Sequence, residues 1–144
     1  MSSSLVETVD VEAPVAVSWA LWSDVAEWPK FLSHVKNVVR IDNRSFSWAL
    51  DLPGADENFT AEITELVPQE RIAWKTTDGV EHAGVVTFHR LSDTTSRVAL
   101  QIEYTPKSFV ERLGALTNLD STLANYDLGE FKRMAESSAG KAKV

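Results

Sequence analysis

The chain has 144 residues, which is enough for one domain that buries roughly two-thirds of its unfolded surface. A net charge of -7 and a pI near 4.9 argue against a nucleic-acid partner, because phosphate binding needs clustered Lys and Arg. The absence of cysteine excludes disulfides, thiolate metal ligands and a cysteine nucleophile.

The first elements are a strand and two short helices. Leu5–Val11 alternates with the period of two that is typical of a strand. Apolar residues at three-to-four spacing predict an amphipathic helix over Pro14–Val25, and Pro14 suits its first turn. We expect Trp28-Pro29 to break this helix, and a short second helix to run over Pro29–Leu32.

Six further strands follow. The first three are predicted over Val35–Asp42, Ser45–Leu52 and Asn58–Val67, with a loop at Pro53–Asp56. The next three form an antiparallel meander, and their predicted ranges are Arg71–Thr76, Glu81–Leu91 and Arg97–Tyr104.

The register of this meander depends on its turns. A three-residue loop at Thr77–Gly79 puts Trp74 opposite His82, whereas a two-residue turn would put Trp74 beside Ala83 on the other face. We favour the first register because it lets Trp74 share one face with Val86 and Phe88.

Carrying the register across the next turn pairs Phe88 with Val98 and Val86 with Leu100. His82 then pairs with Tyr104. The sequence therefore predicts a row of Trp74, His82 and Tyr104 across three strands, on the apolar face.

The rest of the chain is predicted to be helical. Apolar residues at helical spacing run from Phe109 to about Ser137, with a bend or interruption at Gly114 and Thr117–Ser121. We expect one domain over residues 1–144, with frayed tails at 1–4 and 138–144. The fold class is α+β: a curved antiparallel sheet of about seven strands wraps around a long C-terminal helix and leaves a hollow where the two diverge.

Several stretches of the chain match a known family pattern. They are Trp22–Asp24 with Trp28-Pro29, Ile63–Pro68 with Arg71–Trp74, Gly84–Phe88, Arg97-Val98 with Tyr104–Pro106, and Asp127-Leu128 with Phe131-Lys132. With them the chain resembles the SRPBCC superfamily, also called START-like or helix-grip, and within it the polyketide cyclase/dehydrase group, which includes coenzyme Q-binding relatives. The resemblance implies a helix-grip fold whose hollow binds lipids, quinones, polyketides or other apolar ligands, and in some members catalyses ring closure and dehydration. The matched stretches hold no catalytic signature, so no catalytic residue is carried over.

Eight residues are predicted to line or fill the hollow: Trp48, Phe59, Trp74, His82, Val86, Phe88, Leu100 and Tyr104. His82 and Tyr104 are the candidates for proton transfer, since histidine titrates near neutral pH. The alternative is that His82 lies half solvated at the sheet rim without a role. Gly84 leaves a gap on the same face, which is either ligand space or room for Trp74 or the last helix.

Other site types are disfavoured. No histidine pair has metal-ligand spacing, and the chain has no glycine-rich phosphate loop or serine-hydrolase elbow, so we expect neither a metal nor a cofactor. No apolar run approaches a membrane span and the N-terminus is not a signal peptide, which predicts a cytoplasmic protein without integral membrane association.

The leading hypothesis is binding of a hydrophobic small molecule, such as a lipid, a quinone or a polyketide-like compound, between the sheet and the C-terminal helix. The alternatives are an aromatic polyketide cyclase/dehydratase and a non-catalytic interaction or chaperone-like module whose cavity is filled by its own side chains. The sequence leaves the ligand, catalysis and the oligomeric state open.

Overall fold

The structure, a computed structural model, describes residues 3–32, 35–52, 55–78, 82–104 and 121–142. The predicted order of a strand, two short helices, six strands and a C-terminal helix is confirmed. The elements are β1 (Ser3–Val11), α1 (Val15–Ser23), a 3₁₀-helix (Val25–Lys30), β2 (Val35–Arg40), β3 (Ser45–Leu52), β4 (Ala55–Val67), β5 (Arg71–Asp78), β6 (His82–Arg90), β7 (Ser96–Tyr104) and α2 (Ser121–Ala142).

The seven strands of the described residues form one antiparallel sheet in the order β1-β7-β6-β5-β4-β3-β2. Strands β2 to β7 are therefore a meander, and β1 pairs with β7. One face of the sheet, here called the inner face, carries the buried residues; Ile72, Val86 and Val98 lie on it. This arrangement is the predicted α+β helix-grip architecture.

The register of β6 with β7 is confirmed, with Phe88 opposite Val98, Val86 opposite Leu100 and His82 opposite Tyr104. The predicted register of β5 with β6 is wrong by two residues.

Trp74 lies opposite Gly84 rather than opposite His82 or beside Ala83. Within the described residues, β5 pairs with β6 only as far as Lys75, whereas it pairs with β4 as far as Asp78, so the β5–β6 pairing ends sooner than a three-residue loop requires. A shift of two residues keeps Trp74 on the inner face but removes it from the predicted row with His82 and Tyr104.

The second helix begins earlier than predicted. The side chain of Asp24 accepts a hydrogen bond from the backbone N–H of Ala26 at 3.1 Å, which caps a 3₁₀-helix that starts at Val25 and contains Pro29. Strand β4 also starts earlier than predicted, because Ala55 and Asp56 pair with β3.

Strand β1 and helix α2 extend into the segments predicted as tails, and whether these ends fray stays a prediction. Ser3 and Ser4 pair with β7, and α2 continues through residues 138–142. Ala139 is only 5% exposed and extends the apolar stripe of Phe131 and Ala135 by one turn, so packing outweighs the poor helix propensity of the neighbouring serines and glycine. The helix predicted over Phe109–Asp120 lies outside the described residues.

Candidate functional site

Aromatic side chains connect the inner face to the helices. We call this group the aromatic cluster; its members are Trp22, Trp28, Phe31, Phe46, Trp48, Trp74 and Phe131. Trp28 is at its centre, with its ring centroid 4.9 Å from that of Trp74, 5.3 Å from Phe46 and 6.0 Å from Trp48. These tilted and edge-on contacts are the geometry that aromatic pairs prefer.

Trp28 is also fixed by a hydrogen bond. Its indole Nε1 donates to the backbone oxygen of Trp22 at 3.0 Å, which links the 3₁₀-helix to the end of α1. The sequence pattern placed Trp28 only at a helix break beside Pro29 and missed its central position. The Trp28-Pro29 pair of the family pattern was the only sequence feature that marked Trp28, and it does not indicate which rings Trp28 contacts.

Helix α2 joins the cluster through Phe131, whose ring lies 5.5 Å from Trp22 and 5.4 Å from Phe31. On the side of α2 that faces β1, the Glu136 carboxylate accepts a hydrogen bond from the backbone N–H of Glu12 at 2.9 Å. Glu136 also pairs with Lys132. The hydrogen bond from Lys132, followed by that from Glu12, lowers the pKa of Glu136. These contacts anchor the C-terminal half of α2 at the end of β1.

Two buried hydroxyls connect α1 to the sheet. Ser96 Oγ donates to the backbone oxygen of Ala13 at 2.9 Å, and Ser18 Oγ lies 3.0 Å from Ser96 Oγ. Because the single proton of Ser96 is used on Ala13, the hydroxyl of Ser18 is the donor in the second bond.

Gly84 is covered by the indole of Trp74. A Cβ atom built on Gly84 would lie 2.2 Å from Cζ2 of Trp74. Of the two uses predicted for the gap at Gly84, the structure therefore selects contact with Trp74, and no ligand space remains at that point.

The predicted site residues fall into two groups. Those whose side chains the structure describes are all buried on the inner face: Trp48, Trp74, Val86, Phe88 and Leu100. Trp48 and Trp74 meet through Trp28, whereas Phe88 contacts Trp19 of α1 at 5.4 Å.

The side chains of Phe59, His82 and Tyr104 lie outside the described part of the structure. Their backbones place Phe59 opposite Trp48 and His82 opposite Tyr104. The predicted contacts of these three side chains with a ligand stay predictions.

The inner face is unevenly covered. Along β7, Val98 is 0% exposed, Leu100 is 5% exposed and Ile102 is half-buried. Along the neighbouring β1, Val11 is buried and Glu7 is half-buried. Because the two strands are antiparallel, Glu7 and Ile102 lie towards the same end of the sheet, so burial decreases towards that end on both strands.

Helix α2 has open space at Gly129. This residue is half-buried, yet a Cβ atom built on it would meet no heavy atom within 4 Å. A half-buried position without such a neighbour indicates that α2 does not pack closely there.

Charged groups within the described ranges form ion pairs rather than a metal site. Arg97 donates to Asp10 at 2.7 Å, and this hydrogen bond lowers the pKa of Asp10. No three His, Asp or Glu side chains of the described residues form a group that could hold a metal ion. Among the helices in these ranges, none has the length and apolar character needed to cross a membrane.

Comparison with known proteins identifies relatives over most of the chain. Residues 11–133 match the model of the family described as polyketide cyclase/dehydrase and lipid transport. A protein of Streptomyces lincolnensis, described as an uncharacterized 17.2 kDa protein in the melC2-rnhH intergenic region, is 36% identical over 135 residues, which cover 93% of this chain and 90% of that protein.

Solved structures share the fold. The Zhui aromatase/cyclase from Streptomyces sp. R1128 has a TM-score of 0.75 at 18% identity, with 94% of each chain covered. A START superfamily protein from Mycobacterium smegmatis has a TM-score of 0.71 at 13% identity, with 96% of this chain and 98% of that chain covered. The chain belongs to the polyketide cyclase/dehydrase and lipid transport family and has the helix-grip fold of the SRPBCC (START-like) superfamily.

Proposed function

We propose that this protein, as a single domain, binds a hydrophobic small molecule between the inner face of its sheet and α2. The loss of cover along β7, from Val98 to Ile102, carries the proposal, because an apolar strand face that helices leave open is what an apolar ligand can fill. Open space also lies beside Gly129, on the flank of α2 that carries Glu136. The family's description, which names lipid transport, agrees with this ligand class.

In this proposal the eight predicted residues form a base, a wall and a lining of the ligand site. Val86 and Leu100 pair in the register and are buried, so they form the base of the site. Trp74 forms a wall, because its indole covers Gly84 next to Ile102. The remaining five are assigned to the lining by their strand positions: Trp48, Phe59, His82, Phe88 and Tyr104.

Native mass spectrometry, paired with solvent extraction of the protein purified from its own host, tests the proposal. We expect a co-purifying lipid, quinone or polyketide-like compound. Ile102→Trp would extend a ring from the half-buried inner-face position and should reduce the bound fraction. Gln101→Trp, at the adjacent position on the opposite face, is the matched control and should leave it unchanged. Equal occupancy in the two folded variants would contradict the proposed location.

A second candidate function is aromatic polyketide cyclisation and dehydration. His82 lies opposite Tyr104 in the register, so an imidazole and a phenol are carried by adjacent positions of two central strands. An imidazole can take a proton from a carbon next to a carbonyl, and a phenol can donate one to a leaving hydroxyl. The fold likeness to the Zhui aromatase/cyclase favours this candidate.

Turnover of a poly-β-ketone by His82→Ala and Tyr104→Phe tests these roles. We expect a loss of at least about a hundredfold in kcat for a residue that transfers a proton. His89→Ala is the control, because His89 is exposed and its Nε2 lies 3.2 Å from Thr87 Oγ1. Unchanged turnover in both variants would remove the assigned roles.

The cytoplasmic location remains part of the proposal, and separation of cell fractions would test it.

A further inference from the structure

Glu7 is a charged residue on an otherwise apolar stretch of the inner face. It lies directly opposite Leu100, and directly opposed residues of antiparallel strands point to the same side of a sheet. Its neighbours on that face of β1 and β7 are Val9 and Ile102. Among the residues that the structure describes, no hydrogen bond or ion pair engages the Glu7 carboxylate, although the residue is half-buried. The carboxylate oxygens of Glu7 are not buried, so they are accessible to solvent and to a ligand.

The direction of α2 relates Glu7 to the open positions on that helix. The backbone N–H of Glu12 donates to Glu136 at 2.9 Å. Arg97 chiefly, and Lys132 to a lesser extent, lower the pKa of Asp10, so Lys132 lies on the Asp10 side of the Glu12–Glu136 contact and α2 and β1 run side by side in the same direction. Four helical residues and two strand residues both span about 6 Å, so each four-residue step back along α2 corresponds to two residues back along β1.

Continuing this alignment places Gly129 level with Val9, and Asn125 level with Glu7. Asn125, Gly129, Lys132 and Glu136 follow at spacings of four, three and four and share one flank of the helix. Asn125 is exposed and Gly129 has open space. At the level of Glu7, the described side chains on this flank of α2 are therefore open rather than packed against β1.

The geometry points to Glu7 as a specificity-determining residue at the side of the ligand site, between β1 and the N-terminal half of α2. This inference rests on the proposed function. A carboxylate there accepts a hydrogen bond from a neutral hydroxyl, as in a phenol, an enol or a quinol, and repels a carboxylate. The net charge of -7 adds to this repulsion. The favoured ligand class is therefore an apolar compound with a neutral hydroxyl group, and fatty-acid anions are rejected.

Binding of 2-naphthol and 2-naphthoate, measured by isothermal titration at pH 7.5, tests this assignment. The two probes share a ring system, but only the second is an anion at this pH. We expect the wild type to bind 2-naphthol at least tenfold more tightly, and Glu7→Gln to reduce this preference by about fivefold or more, chiefly through tighter binding of the anion. Glu103→Gln is the matched control, because Glu103 is exposed on the opposite face of β7.

The possible outcomes distinguish a failure of the role of Glu7 from a failure of the proposed ligand site. If 2-naphthol binds but Glu7→Gln leaves the preference unchanged, or changes it no more than Glu103→Gln does, the role of Glu7 is refuted and the ligand site stands. Gly129→Leu should weaken both probes, because the added side chain enters the open space. If neither probe binds the folded wild type up to its solubility limit, both the site and the role of Glu7 are refuted.

Discussion

Gly84→Ala is the substitution that most directly tests the packing of the inner face. The added Cβ would lie 2.2 Å from Cζ2 and 2.5 Å from Cε2 of Trp74, whereas carbon atoms in contact prefer about 3.5–4.0 Å. The indole would have to move by more than about 1 Å. It cannot do so freely, because Trp74 is 3% exposed and its ring lies 4.9 Å from that of Trp28. Overpacking of this kind costs about 1–3 kcal/mol, and the rigidity of the ring favours the upper part of that range.

Urea unfolding followed by circular dichroism measures this cost. Gly129→Ala is the matched control: the same atom is added where it meets nothing, inside a helix, so we expect stabilisation by about 0.5–1 kcal/mol. The cost of Trp74→Leu should also be smaller in the Gly84→Ala background, because the shortened side chain relieves the clash. If Gly84→Ala unfolds at the same urea concentration as the wild type, Trp74 does not cover Gly84 and the reasoning fails.

Three further outcomes are expected. Because Lys132 and Glu12 lower the pKa of Glu136, its stabilising effect is present above the unfolded pKa and is lost as the pH falls through the folded pKa. In urea titrations, Glu136→Gln should cost about 1 kcal/mol at pH 7 and progressively less at acidic pH. Trp28→Phe should lower the thermal midpoint more than Trp22→Phe does, since only the former removes a hydrogen bond within the described residues. Ser96→Ala should cost more than Ser18→Ala in urea unfolding, by about 1 kcal/mol, because it leaves two buried groups without a partner rather than one. Equal losses within either of these last two pairs would contradict the assigned hydrogen bonds, and a pH-independent effect of Glu136→Gln would contradict the pKa argument.

The strands were predictable because each carries its own period-two pattern, and the register of β6 with β7 followed from a short turn. The register of β5 with β6 did not follow: within the described residues their pairing ends at Lys75 and Ala83, although β5 stays paired with β4 as far as Asp78. The preferences of the turn residues carry no information about where that pairing ends. The predicted end of α2 near Ser137 was also too early, because burial of Ala139, rather than helix propensity, keeps this segment helical.

The strand residues of the aromatic cluster were predictable from the sequence, but its central residue was not. Trp48 and Trp74 follow from alternation within their strands. Trp28 brings them together from a 3₁₀-helix, over a separation of 20 residues or more along the chain, and periodicity carries no information about such a contact. Glu7 was counted only as one position of an alternating strand, because its importance depends on where α2 leaves the sheet uncovered.

The contact between Trp74 and Gly84 bears on the choice between a filled core and a ligand site. Taken alone it favours the filled core, because the one gap that the sequence marked on the inner face is occupied by the protein itself. Against the filled core, Ile102 is less buried than Leu100 on the same face of β7, and Gly129 of α2 has open space beside it. The indole of Trp74 is better explained as one wall of an open region beside β1 and β7, and that region, with Glu7 at its side, is where a ligand would add the missing contacts.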